Sequence, residues 1–321
     1  MNILVTGVGS TTSQSVIKGL RRQQQYDVRI VGTDTHESDQ IAGSAFCDSF
    51  HKVPLATEEE AYIDSIVNIV RTASIDLLIP IIDVELSVLS KHADRIRTET
   101  ELLLSDHEVI EQCNEKRRTH DLFMSLDIPT PKTVDVDGDT DRETLESQVE
   151  CLSYPIIVKP NVGVSSRDVY TIRNPDELCL VDRINDPIAQ TRATGQEYTI
   201  DVFHDGESPV AAVPRKRLET RSGISYKGET VQDEQLIRYA ERIADEINLY
   251  GPANIQCFKH EGTFQFIEIN PRFSGSLPLS IEAGNNFPLY ALQLAAGELD
   301  TTEQFDEVRM CRSWSEVYYK K

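Results

Sequence analysis

The chain is short of positive charge: 32 lysines and arginines stand against 53 aspartates and glutamates, a net charge of −21 over 321 residues. A surface of that sign repels phosphate backbones and anionic headgroups, so nucleic acid and membrane are excluded as partners. A site for a phosphorylated ligand must therefore gather its cations locally. Long apolar runs are missing as well. The longest, Leu77 to Ile82, is interrupted by Pro80 and is far shorter than a membrane span. MNILVTG enters a strand directly, without the basic flank and apolar run of a signal peptide, so a cytoplasmic protein is expected. The six cysteines (47, 113, 151, 179, 257, 311) contain no CxxC pair and no Cys/His spacing of a zinc site, which points to reduced thiols. No Ser/His/Asp or Cys/His signature, internal repeat or low-complexity segment is present. What remains is ordinary globular composition, 39% hydrophobic and 26% charged, with a length that suggests two or three domains.

The first hundred residues alternate strands and helices. Strands are expected at 3–7, 28–31 and 77–82, and helices at 16–22, 58–71 and 85–95, which implies a parallel α/β sheet with right-handed crossovers. The turn GVGSTTS after the first strand invites a dinucleotide reading through Gly7, Gly9 and, at the end of the second strand, Asp34. Thr12 stands where the third glycine should be, and that glycine permits close helix packing. A Walker loop is absent too: YPIIVKPNVGVSSRDVYTI is strand, loop, strand, with its lysine before the glycine.

From 107 to 133 a helix gives way to an exit punctuated by Pro129 and Pro131, marking a domain entrance. Strands are expected at Glu197 to Phe203 and Val210 to Leu218, then a basic loop (ETRSGISYKGET), a helix over 232–247, a last helix near 288–296 and a strand-like tail ending in WSEVYYKK. Between the last two helices lies NIQCFKHEGTFQFIEINPR, whose alternating runs flank Gly262 and read as a β-hairpin. With Gly262 at the centre of its loop, Gln256 falls opposite Glu268, and Asn270 shares the face of Glu268. These three oxygens suit a hard divalent cation, with Arg272 beside it for a phosphoryl group. A solvent-facing side of a hairpin is the alternative.

The ordered series EKRRTHDLFMSLDIPTPKT, YPIIVKPNVGVSSRDVY, GQEYTIDVF, NIQCF and FIEINPRFSG resembles the ATP-grasp superfamily, most of all the branch related to the carbamoyl phosphate synthase large chain. The resemblance covers residues 1 to about 300. It implies an α/β and α+β architecture: a parallel-sheet pre-ATP-grasp domain over 1–110, a small lobe over 111–190, and a C-terminal lobe with the metal site over 191–321. It further implies that Lys116 and Lys159 bind nucleotide phosphates, with Arg217 from the cluster at 215–221 among the cofactor contacts. Gly163, Ser165 and Ser166 belong to the loop that closes over those phosphates, the segment of Ala189 and Gln190 meets adenine, and Glu197 meets ribose. Gln256, Glu268 and Asn270 match magnesium ligands. Arg272, together with Lys159, carries the catalytic role. Asp168 stands where that loop usually has glycine, and Thr191 replaces the acid that often follows the hinge glutamine.

The implied chemistry is ATP- and Mg²⁺-dependent activation of a carboxylate as an acyl phosphate, which an amine then attacks, with release of ADP; Mn²⁺ is an admissible substitute. Amino acids or small peptides are the expected substrates, and Asp83 with Glu85, at the end of the third strand, is placed to hold an ammonium group. A homodimer is an admissible assembly. Three other readings compete: phosphorylation of a small acid in the manner of carbamoyl phosphate synthase, a non-catalytic nucleotide-binding protein, and a dinucleotide oxidoreductase.

Overall fold

The structure, a computed structural model, describes residues 1–163, 168–221, 223–299 and 304–320. The chain opens with β1 (Asn2–Val5), α1 (Thr11–Arg22), β2 (Arg29–Asp34), β3 (Ser49–Lys52), α2 (Glu59–Ala73), β4 (Leu77–Ile79), α3 (Asp83–Lys91), α4 (Ala93–Arg97) and β5 (Glu101–Leu102). It continues through α5 (His107–Asn114), α6 (Lys116–Ser125), β6 (Thr133–Asp135), α7 (Arg142–Val149), β7 (Ile156–Pro160), β8 (Tyr170–Ile172) and β9 (Pro187–Thr191). Then come β10 (Gln196–Asp205), β11 (Pro209–Arg221), β12 (Ile224–Thr230), α8 (Glu234–Glu246), β13 (Tyr250–His260), β14 (Thr263–Asn270), α9 (Leu277–Glu282), α10 (Phe287–Ala296) and β15 (Arg309–Cys311). These form two compact units. One comprises residues 1–110, 200–254 and 270–321, the other 111–199 and 255–269.

In the first unit, β3-β2-β1-β4-β5 make a five-stranded sheet, parallel throughout. Its strands are apolar on both sides. Ile3, Val5, Ile30 and Ile79 pack with Val16, Ile17 and Leu20 of α1 and with Phe287 and Leu292 of α10. Leu4, Val31 and Leu78 pack on the opposite face with Tyr62, Ile63 and Ile66 of α2 and Leu86 of α3. A sheet covered on both faces needs such continuous apolar strands, which is why they stood out in the sequence. The second sheet of this unit carries β13, β10, β11, β12 and β15 in that order.

Three elements differ from expectation. Helix α1 begins at Thr11, five residues ahead of its apolar stripe, because Ser10 caps it and Ser13 satisfies its hydroxyl on Thr6 O and Gly7 O, both at 2.7 Å. The basic segment read as a loop is mostly β12: it pairs with β11 on one side and β15 on the other, and Gly228 is needed there because a Cβ would stand 3.0 Å from Lys216 O. The tail forms a strand only over Arg309–Cys311.

The second unit holds an antiparallel sheet, β6-β9-β7-β8. Val136, Leu145 and Val149 pack with Ile156, Val158 and Ile172 and with Leu178 and Val181 of a 3₁₀ segment. β13 from Ile255 onward and β14 as far as Ile269 also belong here, where Phe266 packs on Phe123 of α6 at 6.0 Å between centroids and donates its N–H to Pro129 O at 2.8 Å. Among the described residues no helix is long and apolar enough to cross a membrane.

Candidate active site

In the second unit, Lys159 sits on β7 beside β9, in a register that pairs it with Ile188 and pairs Ile157 with Gln190. Lys159 and Gln190 are thus diagonal neighbours on one face, and Lys159 Nζ donates to Gln190 Oε1 at 3.0 Å. Gln190 is itself buried and donates to Thr133 Oγ1 of β6 at 2.8 Å, so its amide cannot swing away. Ala189, next to it, is fully buried. Burial pulls the Lys159 pKa down to about 8; the Glu268 charge works against that and Lys116 adds to it. Two lysines and one carboxylate of this unit are therefore electrostatically linked.

Lys116 opens α6, and its ammonium donates to the carbonyls of Asn161 (3.3 Å) and Gly163 (3.1 Å) at the end of β7. Sequence reasoning passed over its neighbour Arg117, which donates to Asp135, to Asp186 at 2.6 Å and to Pro187 O at 3.1 Å. Asn161 completes that network, accepting from Arg117 N at 3.0 Å and donating to Asp186 at 3.0 Å. The segment just after β7 is thereby tied to the start of α6 and of β9. The only sequence signal was the run of cations EKRR, read there for one lysine. Ser165 and Ser166 lie outside the described residues. Asp168 adopts φ +55°, the left-handed region that favours glycine. Glu197 is half-buried at the start of β10.

The hairpin turns through Glu261 (φ +47°) and Gly262 (φ +85°), a two-residue loop with both centres left-handed. At the turn, Lys259 lies over the Phe264 ring, 4.3 Å from Nζ to centroid, which fits direct opposition of the two. At the base, Asn270 donates to Asn254 Oδ1 at 3.3 Å, a pairing one residue out of step with the first. The burial pattern of β14 breaks between them: Phe264, Phe266 and Ile269 are buried, while Ile267 and Glu268 are both half-exposed. The two contacts thus differ by one residue in register, and Gln256 lies half-exposed on β13.

In the first unit, Asn270 ends β14 and Arg272 follows. Arg272 forms a bidentate pair with Asp83 (2.6 and 3.1 Å), with both side chains about one-fifth exposed at 19% and 22%. Asn254 accepts from Asn270 and donates to Arg272 O at 3.2 Å. Asp83, expected to meet a substrate ammonium, spends both oxygens on Arg272 instead. Glu85 is equally committed: buried, it accepts from Thr6 Oγ1 at 2.5 Å, and desolvation pushes its pKa up to about 7 despite that hydrogen bond. Arg217, on β11, is nearly buried and donates to Gly223 O at 2.5 Å.

The dinucleotide reading loses its chemistry in the same unit. Asp34 Oδ2 accepts the Gly9 N–H at 2.8 Å, and Oδ1 accepts from His36 N at 3.1 Å. The turn donor that a pyrophosphate would take is given to the acid that a ribose would need.

Two family models match. Residues 3–103 match the PylC-like N-terminal domain, and residues 184–315 match the ATP-grasp of the biosynthetic pathway with Ter operon. The carbamoyl phosphate synthase large chain of Clostridium botulinum is 26% identical over 186 residues, 53% of this chain and 17% of that protein. The arginine-specific large chain of Geobacillus stearothermophilus is 27% identical over 192 residues, 56% of this chain and 18% of that one. The C-terminal part of the chain, residues 184–315, is thus similar to ATP-grasp proteins. The chain spans less than one-fifth of the length of these two curated relatives, at 17% and 18%. Solved structures show the same fold at low identity. The biotin carboxylase domain of Hydrogenobacter thermophilus 2-oxoglutarate carboxylase, a dimer in complex with MgADP, ADP and bicarbonate, matches with a TM-score of 0.76 at 16% identity, over 97% of this chain and 74% of that one. N5-carboxyaminoimidazole synthetase from Staphylococcus aureus, complexed with ADP, matches at 0.75 and 15%, over 95% of this chain and 79% of that one. The expected resemblance and the expected fold class both stand.

Proposed function

We propose that this protein is an ATP- and Mg²⁺-dependent ligase that activates a carboxylate as an acyl phosphate and joins it to an amine. The observation that carries the reading is Lys159, desolvated, fixed on Gln190 and electrostatically coupled to Glu268 and Lys116 in one unit. A lysine drawn below its ordinary pKa without a paired carboxylate is a charge awaiting an anion, and a nucleotide phosphate supplies one.

In this reading Lys116 and Lys159 hold phosphates, the backbone at Gly163 borders them, the segment of Ala189 and Gln190 meets adenine, and Glu197 meets the ribose hydroxyls. Arg217 is retained as a nucleotide contact. Glu268, with the amide oxygens of Gln256 and Asn270, would hold Mg²⁺, an oxygen donor set suited to a hard cation. Bound there, the ion would neutralise phosphate oxygens. A carboxylate oxygen of the substrate bonds to the γ-phosphorus as the bond to the ADP oxygen breaks. The amine then attacks the acyl carbon, phosphate leaves, and the nitrogen loses a proton. Arg272 acts as the fixed charge beside the acyl phosphate, oriented by Asp83 on two of its nitrogens.

ADP and phosphate release from ATP and Mg²⁺, measured across a panel of amino acids, dipeptides and small carboxylates with mass spectrometry of products, tests the proposal. Release dependent on one acid, with a product mass equal to acid plus amine minus water, is expected. Absence of ATP binding would refute it.

A further inference from the structure

Acids outnumber bases by 53 to 32 in this chain, yet one half-buried arginine has no acid partner among the described residues. Arg312, just beyond β15, donates through Nε to Ser225 O at 3.0 Å and through Nη2 to Gly275 O. Among the described residues no carboxylate pairs with it. Burial holds its pKa below the ordinary arginine value, and the charge of Arg215 adds to the effect. Arg215 is fully buried and has its own counterion, Asp201 at 2.5 Å, and it also donates to Ser274 Oγ at 2.7 Å. The second oxygen of Asp201 accepts from Ser280 at 2.6 Å. Asp201 is thus fully engaged by Arg215 and Ser280, and the charge of Arg312 is left without a counterion among the described residues. Buried charges are ordinarily paired, so a surplus of this kind in so acidic a protein calls for an anion from outside.

The surplus has a defined place. Arg312 and Ser15 of α1 both donate to Gly275 O, the latter at 3.3 Å, and a Cβ on Gly275 would lie 3.3 Å from Thr12 Oγ1. The loop 274–276 is therefore gripped between α1 and Arg312, and it begins two residues after Arg272. Gly275 is three chain steps from Arg272, so their Cα atoms lie at most about 11 Å apart.

We propose that Arg312 anchors an anion subsite at the loop 274–276 that takes a carboxylate other than the one being phosphorylated. This rests on the ligase reading for its purpose, although not for its detection. The carboxylate is either the second one of a dicarboxylic acid or the spectator carboxylate of an amino-acid nucleophile. Placing it there would fix the substrate's reacting end relative to Arg272.

The chain contains a single tryptophan, Trp314, two residues beyond Arg312 and 80% exposed, which makes a native reporter. Trp314 fluorescence and titration calorimetry are followed with succinate, succinamate, L-alanine and L-alaninamide, in the wild type, Arg312→Gln and Arg312→Lys, with circular dichroism confirming that each folds. The expected result is saturable binding that weakens roughly ten- to hundredfold when the distinguishing carboxylate is amidated, a preference lost in Arg312→Gln and partly kept in Arg312→Lys. Loss on passing from succinate to succinamate identifies the diacid; loss from L-alanine to its amide identifies the amino acid. Equal binding by wild type and a folded Arg312→Gln overturns the subsite, and so does the absence of saturable binding by any probe to the wild type. ATP and Mg²⁺ binding is measured in parallel. Carboxylate binding that depends on Arg312 in a protein that binds no ATP sustains the subsite and removes the ligase reading instead.

Discussion

Lys159 makes the most direct prediction, because its behaviour follows from burial before any ligand is added. Its pKa lies at about 8 instead of 10.5, through desolvation. Below pH 8 both folded and unfolded chains carry the proton, and the fold bears the full cost of enclosing the ammonium. Between pH 8 and 10.5 the folded state has released a proton that the unfolded state still holds, so stability rises with pH through this window. The gap between the two values corresponds to about 3 kcal/mol as an upper limit. Lys159 keeps part of its surface open to water, which reduces the effect to about 1–3 kcal/mol. Other groups titrate in the same range, so the comparison is with Lys159→Met, which lacks only this proton. Urea unfolding of both proteins without nucleotide at pH 7, 8, 9 and 10 should show the wild type gaining on the variant by that amount as pH rises. A difference constant to within about 0.5 kcal/mol would mean that Lys159 is not desolvated. Because Glu268 pulls in the opposite direction, Glu268→Gln should move the midpoint of the gain to lower pH. The protonated form is the one that can hold a phosphate, so nucleotide affinity should fall above about pH 8 in the wild type and be flat in Lys159→Met.

Glu268→Ala is expected to abolish ATP turnover while leaving the thermal melt near that of the wild type; turnover at the original rate would remove the metal role. Asp83→Asn keeps the shape of the clamp on Arg272 and loses its charge, so kcat should fall about tenfold with KM for ATP unchanged, a loss of about 1.4 kcal/mol in transition-state stabilisation. Equal kcat values would show that Arg272 needs no such support. Glu85 has its pKa raised from 4.5 to about 7, so its folded form costs stability as pH rises through that interval. Glu85→Gln should match the wild type near pH 4.5 and exceed it by about 2–3 kcal/mol at pH 8, as read from denaturant melts.

Three of the five strands of the parallel sheet were legible because strands buried on both faces must be apolar throughout, whereas the short β3 and β5 at its edges carry no such run. The first helix was legible only from Val16, since its opening turn is built from serines and threonines whose hydroxyls are satisfied internally, and such residues look like loop until their partners are known. β12 was missed for a related reason. A strand flanked on both sides by pairing partners draws its stability from the ladder, and its sequence, ISYKGET, need not alternate.

The candidate site divides along the same line. Lys116, Lys159 and the hairpin oxygens could be picked out because each residue type sits at a marked position in an ordered series, and position along the chain is what a sequence displays. What orients them could not. Gln190 is read as a hinge from its place, but its service to Lys159 depends on a diagonal across two strands. Arg117 and Asn161 hold the segment after β7 through partners 18 to 69 residues away. Asp83 was seen as a free acid at a strand end; only folding reveals that Arg272, 189 residues later, takes both of its oxygens. The same distance in sequence hid Arg312. A lone arginine in a tail carries no signal until the fold shows that Asp201 is already spent on Arg215, and an unmatched charge is a property of a place and not of a residue. An acidic chain can bind anions only where it arranges such places. Lys159 and Arg312 are two of them, the one suited to the nucleotide and the other to the substrate, and each can be titrated apart from the other.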